Sequence, residues 1–496
     1  MHDILLRVLN ADSFARGMKD MEFDLTKPHC YYFNEIAKIP HGSKNEKRLS
    51  DWIVDFAKAH GLRYVQDDMY NVVIYKDATK GYEDHPGVIV QAHIDMVCEK
   101  TPESTHNFET DPLELYVEGT HLRAKGTTLG GDDCMGAAYM LDILSDEKLE
   151  HPYLECCFTT QEENGLFGAM ALKPEYFKAR RLINLDGAGE YRTYTTLAGA
   201  RNMTIRKKAA QSPTDAPAYC LGVHGLLGGR TGDDIGKERA NAGKLAARLL
   251  LALERKDAAI RIADFVSANK KAGIAADADV VFTTRMAQSE MQAALEPIQA
   301  AIAEEYEFSD PDITVTLTAT QAEQAAGETE SRELIELIRL LPFGVFQRFL
   351  PLDGLPSFSA NVGKIETVEG AFEIHYAARS PFESCMDEAE TTVSILCSRL
   401  NAEIAAKNDY YGYRYLKDSP LRDTMDRVFM AQYGKPLLHV AAHGGNECGA
   451  FKHMFPDMDI VTTGAIYAKH HTPEEYLDLE SFDRSIRFLK TFLTAL

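Results

Sequence analysis

Short apolar runs that lead directly into a histidine, aspartate or glutamate limit the fold of this chain more than any other feature. Three of them occupy residues 88–95, 154–163 and 181–186, and a fourth lies near residues 458–467. Apolar runs of this length predict buried strands, and a helical pattern at 134–149 separates two of them. Alternating strands and helices predict an α/β fold, with a mainly parallel sheet covered by helices.

The alternating strand and helix pattern of the α/β segment ends near residue 200 and resumes near residue 408. A chain of 496 residues is long enough for two to four domains. We predict a catalytic domain made of residues 1–199 and 409–496, with an inserted α+β domain at 200–408. Within the insert, the sequence pattern predicts one helix over residues 387–407 and a connector over residues 319–333. Residues 1–17 predict a first helix rather than a signal peptide.

Composition excludes several classes of protein. A net charge of −22 argues against nucleic acid as a partner, because phosphates would be repelled. The chain contains no run of about 18 apolar residues, which argues against a membrane span. Nine scattered cysteines without a CxxC pair indicate reduced thiols in a cytoplasmic protein, not a disulfide framework or a thiolate zinc site. We therefore expect a cytoplasmic protein.

Metal-ligand side chains recur where the predicted strands end or where a helix begins. In an open α/β sheet, sites form beyond the carboxyl ends of the strands, so distant residues can converge there. Imidazole nitrogens and carboxylate oxygens suit Zn²⁺, Mn²⁺ or Co²⁺. Two such ions need a bridging group, can generate a hydroxide near neutral pH and can polarise a peptide carbonyl. The candidates are His93, Asp95, Asp132, Asp133, Glu162, Glu163, Asp186, His470 and His471.

Each candidate also has an ordinary structural interpretation. Asp132 follows glycines and could simply cap a helix. Asp186 could cap a turn, the glutamate pair 162–163 could be a solvated turn, and the histidine pair 470–471 could be a surface loop. Their joint occurrence at strand ends favours a metal site. A general base is also required, and one of the adjacent glutamates can face the water while the other faces the metal.

The motifs together resemble the aminoacyl-histidine dipeptidases (Xaa-His or cytosol non-specific dipeptidases), of the co-catalytic zinc peptidase clan that includes carnosinases and aminoacylases. The run VIVQAHIDMV is followed in order by GTTLGGDDCMG, TQEENGLFGA, INLD, HGGNECGAFK and HHTPEE, across nearly the whole chain. The resemblance implies a zinc-peptidase-like catalytic domain, two zinc ions (or Co²⁺ or Mn²⁺), and hydrolysis of Xaa-His and other dipeptides.

The resemblance also implies a role for each site residue. His93 and Asp186 would bind one metal, Glu163 and His471 the other, and Asp132 would bridge them. Glu162 would act as general base and acid on the bridging hydroxide, and Asp95 would orient His93. The insert would be a lid that also forms a homodimer. Substrate would be bound by Asn361, Arg379 and Glu447, with Arg379 pairing with a carboxylate.

The insert departs from the family pattern at two places. Arg230 in GGRTG stands where relatives have a histidine expected to stabilise the oxyanion, so we expect Arg230 to contact substrate. Lys270 and Lys271 replace an Arg-Asn pair in a further lid segment. In the catalytic domain, Asp133 and Cys134 replace a usual Asn-Gly pair, and Cys134 is interpreted as inert helix filler rather than a ligand.

Two other functions compete with dipeptide hydrolysis. A related deacylase of N-acyl amino acids would share every metal ligand and would differ only in the lid and pocket. A non-enzymatic binding protein that kept the fold would be expected to have lost a ligand or the base, and every one is present. Turnover of dipeptides but not of N-acetyl amino acids would separate the first two.

Overall fold

The computed structural model describes residues 21–187, 189–267, 271, 273–350 and 354–496. These form two compact units. The first runs to Thr195 and continues with Tyr415–Val440 and Asn446–Leu496, and the second comprises Thr196–Arg414 and Ala441–Gly445. The predicted helix at 1–17 lies outside the described residues. Among the described helices, none is both long enough and apolar enough to cross a membrane.

The first unit is built on a six-stranded sheet with three parallel pairings at its centre and one edge. Its strands, in spatial order, are Arg63–Gln66, Val72–Lys76, Leu154–Thr159, Val88–His93, Arg181–Asn184 and Asp459–Thr462. Every residue of Val88–His93 and Leu154–Thr159 is buried, as expected for central strands covered on both faces. The fold is therefore the predicted α/β class with a mainly parallel sheet.

Helices and a smaller sheet complete the first unit. The helices are Pro28–Ala37, Lys47–Ala59, Gly131–Ser145, Phe167–Ala171, Pro420–Tyr433, Cys448–Met454 and Leu479–Thr494, with a 3₁₀ turn at Pro174–Tyr176. The smaller sheet has the order Tyr467–Ala468, Tyr476–Asp478, His121–Ala124, Leu115–Glu118. The strands Arg192–Leu197 and Leu438–Ala442 pair with each other. A single apolar core joins the central strands to the helices.

The second unit is an antiparallel sheet with helices packed on it and a separate apolar core. Its strands, in spatial order, are Thr314–Thr320, Ala218–His224, Ala278–Thr283, Arg261–Ser267, Leu355–Val368, Ala371–Ser380, Gly199–Lys208 and Ala402–Tyr410, and Gly344–Phe349 pairs with Leu355–Val368. Short ladders join Ser212–Pro213 to Gln324–Ala325 and Gly229–Arg230 to Gly273–Ile274. The helices are Thr231–Asp234, Ala242–Glu254, Gln288–Glu305, Glu328–Leu340 and Glu383–Arg399, with a 3₁₀ turn at Ile235–Lys237.

Two predicted elements of the insert are wrong. The helix predicted over 387–407 ends at Arg399, and Ala402–Tyr410 is a strand that pairs with Gly199–Lys208. Alanine, glutamate and lysine favoured a helix there, but Asn401 adopts φ 49°, which breaks it, and pairing with the sheet overrides propensity. The connector predicted over 319–333 contains the start of the helix Glu328–Leu340, whose first-turn glutamates favour a helix N-terminus.

Candidate metal centre and active site

Parallel strands bring three of the predicted segments to one edge of the main sheet. His93 ends its strand and is paired in register with Thr159, while Gln91 is paired with Asn184. The glutamate pair 162–163 follows the second strand by three residues, and Asp186 follows the third by two. The carboxyl ends of these strands therefore place imidazole and carboxylate groups side by side.

A carboxylate from the far end of the chain positions Asp132. Gly130 adopts φ 72°, a turn that favours glycine, and the helix Gly131–Ser145 begins immediately after it. Glu475, which is 2% exposed, accepts N–H groups from Leu129 at 2.8 Å, Gly131 at 2.9 Å and Gly130 at 3.1 Å, and from Asp132 at 3.3 Å. These bonds satisfy N–H groups that a helix start leaves without partners. Glu475 thus fixes the backbone that carries Asp132.

The two oxygens of Asp132 face two different histidines. Oδ1 lies 3.3 Å from Nε2 of His93, and Oδ2 lies 3.7 Å from Nε2 of His471. On the first side, donor atoms of His93, Asp132 and Asp186 lie within 4.8 Å of one another. On the second side, Nε2 of His471 is 2.7 Å from Oε1 of Glu163. This is the arrangement that a carboxylate needs to bridge two ions.

The flanking ligand candidates are held by further contacts. The hydroxyl of Tyr467 donates to Oδ1 of Asp186 at 2.9 Å. His470, which is exposed, also has a donor atom within 4.8 Å of Asp132 and His471. Its ring centroid lies 4.8 Å from that of His471. The geometry therefore offers His470 as an additional donor beside the five that the sequence predicts.

Asp95 contacts both His93 and the turn that carries the two glutamates. Its backbone oxygen is 3.0 Å from Nδ1 of His93, whereas its carboxylate Oδ1 is 3.5 Å from that atom. The carboxylate accepts the N–H groups of Glu162 at 2.9 Å and Glu163 at 3.2 Å, and the hydroxyl of Ser43 at 2.7 Å. Asp95 therefore fixes both the histidine and the turn that presents the two glutamates.

Glu162 has a carboxylate suited to holding a proton. Donor atoms of Glu162, Glu163 and His93 lie within 4.8 Å of one another. Desolvation raises the pKa of Glu162 well above its usual value, and Glu163 and Asp186 raise it further, although His93 opposes them. A raised pKa is what a group needs if it is to accept a proton and then release it near neutral pH.

The histidine charges depend on the same carboxylates. Burial alone would lower the pKa of His93, but hydrogen bonding to Asp132 and Asp95 raises it well above the usual value. Burial likewise opposes protonation of His471, whereas Asp132 and Glu163 raise its pKa to about 10. These contacts favour the protonated form of both imidazoles, so a metal ion binding there would displace protons.

Three further acidic or thiol groups lie close to these residues. Glu447 is 1% exposed and accepts Gln91 Nε2 at 2.5 Å and Thr159 Oγ1 at 2.7 Å, and burial raises its pKa to about 7. Asp133 is fully buried, and neither of its carboxylate oxygens has a hydrogen-bond partner in the described ranges. Burial raises the pKa of Cys134 well above its usual value, which favours the thiol over a thiolate ligand.

The predicted substrate residues of the second unit gather around one turn. The ladder pairs Arg230 with Gly273, whose carbonyl accepts the side-chain amide of the buried Asn361 at 2.8 Å. Arg379 Nε donates to Thr231 Oγ1 at 2.9 Å, directly beside Arg230. The Arg230 side chain is exposed, and its backbone N–H donates to Asp234 at 2.8 Å.

The surroundings of that turn hold Arg379 firmly. Arg379 Nη1 donates to the hydroxyl of Tyr410 at 2.5 Å and lies 3.5 Å from the carbonyl of His443. Nε2 of His443 is 2.6 Å from Ser359 Oγ.

Lys271 is exposed in a turn, while Lys270 lies outside the described residues.

Several positioning residues were not predicted from the sequence. Glu475, Tyr467 and Ser43 each hold a ligand candidate or its backbone, but each is a common residue type far from its target in sequence. Glu475 offered the only signal, because it lies four residues after His471 in HHTPEE. Contacts of this kind depend on tertiary structure and have no local pattern.

Known proteins match the chain along most of its length. The model of Peptidase family M20/M25/M40 matches residues 89–495. The chain belongs to this peptidase family. It is 30% identical over 455 residues to the cytosol non-specific dipeptidase of Escherichia coli (strain K12), covering 90% of this chain and 93% of that protein.

Solved structures agree with this assignment. The crystal structure of aminoacylhistidine dipeptidase from Vibrio alginolyticus matches with a TM-score of 0.87 and 29% identity, covering 96% of this chain and 98% of that one. Aminopeptidase PepT from Bacillus cereus ATCC 10987 matches with a TM-score of 0.58 and 15% identity, covering 96% of this chain and 99% of that one, which supports the fold alone. This peptidase of the M20/M25/M40 family is therefore similar to dipeptidases in both sequence and structure.

Proposed function

We propose that this M20/M25/M40 peptidase is a metal-dependent dipeptidase that hydrolyses Xaa-His and other dipeptides. The observation that carries the proposal is the placement of Asp132, whose two oxygens face His93 on one side and His471 on the other. The relatives named above, one a cytosol non-specific dipeptidase and one an aminoacylhistidine dipeptidase, support the choice of substrate.

The donor set fits two divalent cations. His93 and Asp186 would hold one ion, Glu163 and His471 the other, and Asp132 would bridge them. When bound, the ions would activate a water molecule near neutral pH and polarise the peptide carbonyl. Imidazole with carboxylate suits zinc, and cobalt or manganese could replace it. Zinc is our proposal for the ion that is naturally bound.

Glu162 would move the proton in the reaction. Its carboxylate would accept the proton of the attacking water and then donate it to the leaving amine. Asp95 supports this role through the N–H groups of Glu162 and Glu163, because these bonds fix which glutamate faces which group. Glu475 and Tyr467 would act as positioning residues for Asp132 and Asp186.

Residues of the inserted unit would bind the dipeptide. Arg379 would pair with the substrate carboxylate through its planar fork, with Tyr410 and Thr231 holding its orientation. Arg230, exposed on the adjoining turn, would donate to the oxygen on which negative charge develops. Asn361 and Glu447 remain proposed substrate-side residues, although the described bonds of both are to protein atoms. We also propose that this unit is a lid and mediates a homodimer, and that the protein works in the cytoplasm.

A substrate panel tests the proposal against the deacylase alternative. The protein, loaded separately with zinc, cobalt and manganese, would be assayed with dipeptides, including Xaa-His, and with the matching N-acetyl amino acids. Hydrolysis of the dipeptides with little turnover of the acetylated compounds is expected. Preference for the acetylated compounds would instead assign a deacylase, and no turnover of either class by the metal-loaded protein would refute the proposal.

A further inference from the structure

A cavity lies in the inserted unit, and none of the residues that line it is proposed to bind metal. It has a volume of about 390 Å³, within the range of small-molecule pockets. One wall is a face of the helix Ala242–Glu254, and the other is the end of the helix Glu328–Leu340 with the residues that follow it. Both walls belong to the same compact unit.

Cations line this cavity, although the whole chain carries a net charge of −22. Lys244, Arg248 and Arg339 all contribute side chains to the wall. Arg248 is already paired, because its two terminal nitrogens contact Glu305 at 2.5 and 2.8 Å. Lys244 Nζ donates to the carbonyls of Ile338, Arg339 and Leu341 at 2.6–2.9 Å, closing the helix end. These two side chains are therefore satisfied within the protein.

Arg339 differs from its two neighbours. Its side chain is half-buried, and its one described hydrogen bond is a long one, 3.5 Å, from Nη1 to the carbonyl of Lys244. No carboxylate within the described part of the chain lies within 4.0 Å of it. Burial lowers the pKa of Arg339, and repulsion from Arg248 lowers it further, although Tyr306 and Glu305 oppose these effects. A half-buried guanidinium with a single long hydrogen bond keeps donors that can bind an anion.

The rest of the wall limits the kind of anion. Leu340, Leu341, Pro342 and Phe343 supply apolar surface beside the guanidinium. The nearby backbone groups are carbonyls at a helix end that accept from Lys244, so they provide no N–H donors for the further oxygens of a phosphate. The carboxylate of Glu305 is occupied by Arg248, so it is not free to receive an ammonium group.

We propose that this cavity binds a small organic acid, with one carboxylate on Arg339 and an apolar group against Pro342 and Phe343. A monoanion without an ammonium group fits the guanidinium, the apolar surface and the lack of a free carboxylate on Glu305. The ligand therefore differs from a dipeptide, which carries an ammonium group, and the proposal does not depend on the peptidase activity.

Direct binding measurements test this site. The protein would be titrated by calorimetry with 3-phenylpropanoate, with neutral 3-phenylpropanamide, with zwitterionic phenylalanine and with inorganic phosphate. Saturable binding of 3-phenylpropanoate that is at least about tenfold tighter than that of the other three is expected. The amide carries no charge for Arg339, the ammonium group of phenylalanine is repelled by the cations of the cavity, and phosphate has no apolar group. Equal binding of the amide, tighter binding of phosphate, or no saturation by 3-phenylpropanoate would overturn the proposal.

Substitutions test whether 3-phenylpropanoate binds at Arg339. Arg339→Gln should weaken 3-phenylpropanoate binding at least about tenfold, and Arg339→Lys should weaken it less, since charge is kept but the fork is lost. Arg332→Gln is the matched control on the same helix, and Arg379→Gln tests the other arginine able to hold a carboxylate. Both should bind like the original protein. Thermal unfolding would verify that each variant is folded. Binding that survives Arg339→Gln, or that is lost in Arg379→Gln, would contradict the assignment.

Discussion

Glu162 and Glu163 are neighbours in sequence but have different surroundings. Glu163 contacts His471 at 2.7 Å, whereas Glu162 has its pKa raised by desolvation and by the charge of Glu163. The backbone N–H groups of both residues donate to Asp95, which holds the turn that carries them. The contacts therefore support separate roles for the two residues, a ligand and a proton carrier.

The pair of variants Glu162→Gln and Glu163→Gln tests that division. Glu162→Gln should keep nearly normal metal content, but its kcat should fall at least about 10²-fold, the lower end for loss of a general base. Glu163→Gln should lose one ion. Metal analysis and steady-state kinetics on both proteins decide the assignment. Metal lost from the first variant and retained by the second would mean that the roles are reversed.

Arg230 is the residue that the resemblance places where relatives are expected to have a lid histidine. If it stabilises the oxyanion, Arg230→Ala should lower kcat about 10²–10³-fold, as for other oxyanion donors, and change KM less. The wild-type rate should show no acid-side loss attributable to a lid imidazole, because arginine stays charged. Lys237→Ala, which removes an exposed cation paired with Asp234 in the same turn, is the matched control. Unchanged kinetics for Arg230→Ala would mean that Arg230 does not stabilise the oxyanion, and Lys271 and Lys270 would be substituted next.

At the scale of elements, the start of the helix Gly131–Ser145 carries Asp132, the residue proposed to bridge the two ions. Asp132 itself has ψ 106°, outside helical geometry, so the helix does not set its direction by regular winding. Glu475 sets the direction of Asp132 by accepting four backbone N–H groups, and the turn at Gly130 places those groups. The position of Asp132 thus depends on a carboxylate 343 residues away.

Replacing Glu475 should therefore weaken metal binding without removing a ligand. Glu475→Gln leaves one acceptor oxygen where two now bind four N–H groups, so the turn should loosen. We expect weaker binding of both ions, and a loss of about 0.5–2 kcal/mol in the free energy of unfolding, typical of a lost helix cap. Glu474→Gln, an exposed neighbour, is the control. Normal metal affinity in Glu475→Gln would show that Asp132 is positioned by other contacts.

The strands that carry the site were predictable, because their apolar runs are fully buried and their ligand residues come just after them. His93 and Asp186 needed only the rule that parallel strands share a carboxyl edge. The end of the helix at Arg399 was not predictable, since Ala402–Tyr410 has helical propensity and becomes a strand only through pairing with Gly199–Lys208. Glu475 was missed for the same reason, because its partners are distant in sequence.

For the whole molecule, the proposed metal binding would compete with protonation at the same histidine nitrogens. The pKa of His471 is raised to about 10 and that of His93 is also raised, which favours the protonated form of both without metal. Neutral imidazole would be the ligand, so metal binding would release protons. Metal affinity should fall as pH falls. In the metal-free protein, the stabilising effect of the raised His471 pKa is fully present below about pH 6.5 and is lost as pH rises through about 10.

Calorimetry can count the released protons. Titrating metal into the metal-free protein at pH 7, in buffers of different ionisation enthalpy, should give a heat that varies with the buffer, showing net proton release. The apparent affinity should weaken up to about tenfold per pH unit for each proton displaced. A heat that does not depend on the buffer would show that the imidazoles are neutral before metal binds, and this would contradict the raised pKa values of His93 and His471.

The central claim is that Asp132 joins two ions into one catalytic centre. The most direct measurement is metal content and dipeptide hydrolysis in the same preparations of the original protein, Asp132→Ala and the control Glu474→Gln. We predict two ions per chain, activity abolished by chelation and restored by Zn²⁺, Co²⁺ or Mn²⁺, and loss of both paired ions and activity in Asp132→Ala alone. Full activity in Asp132→Ala, or hydrolysis that persists after all metal is removed, would contradict the account.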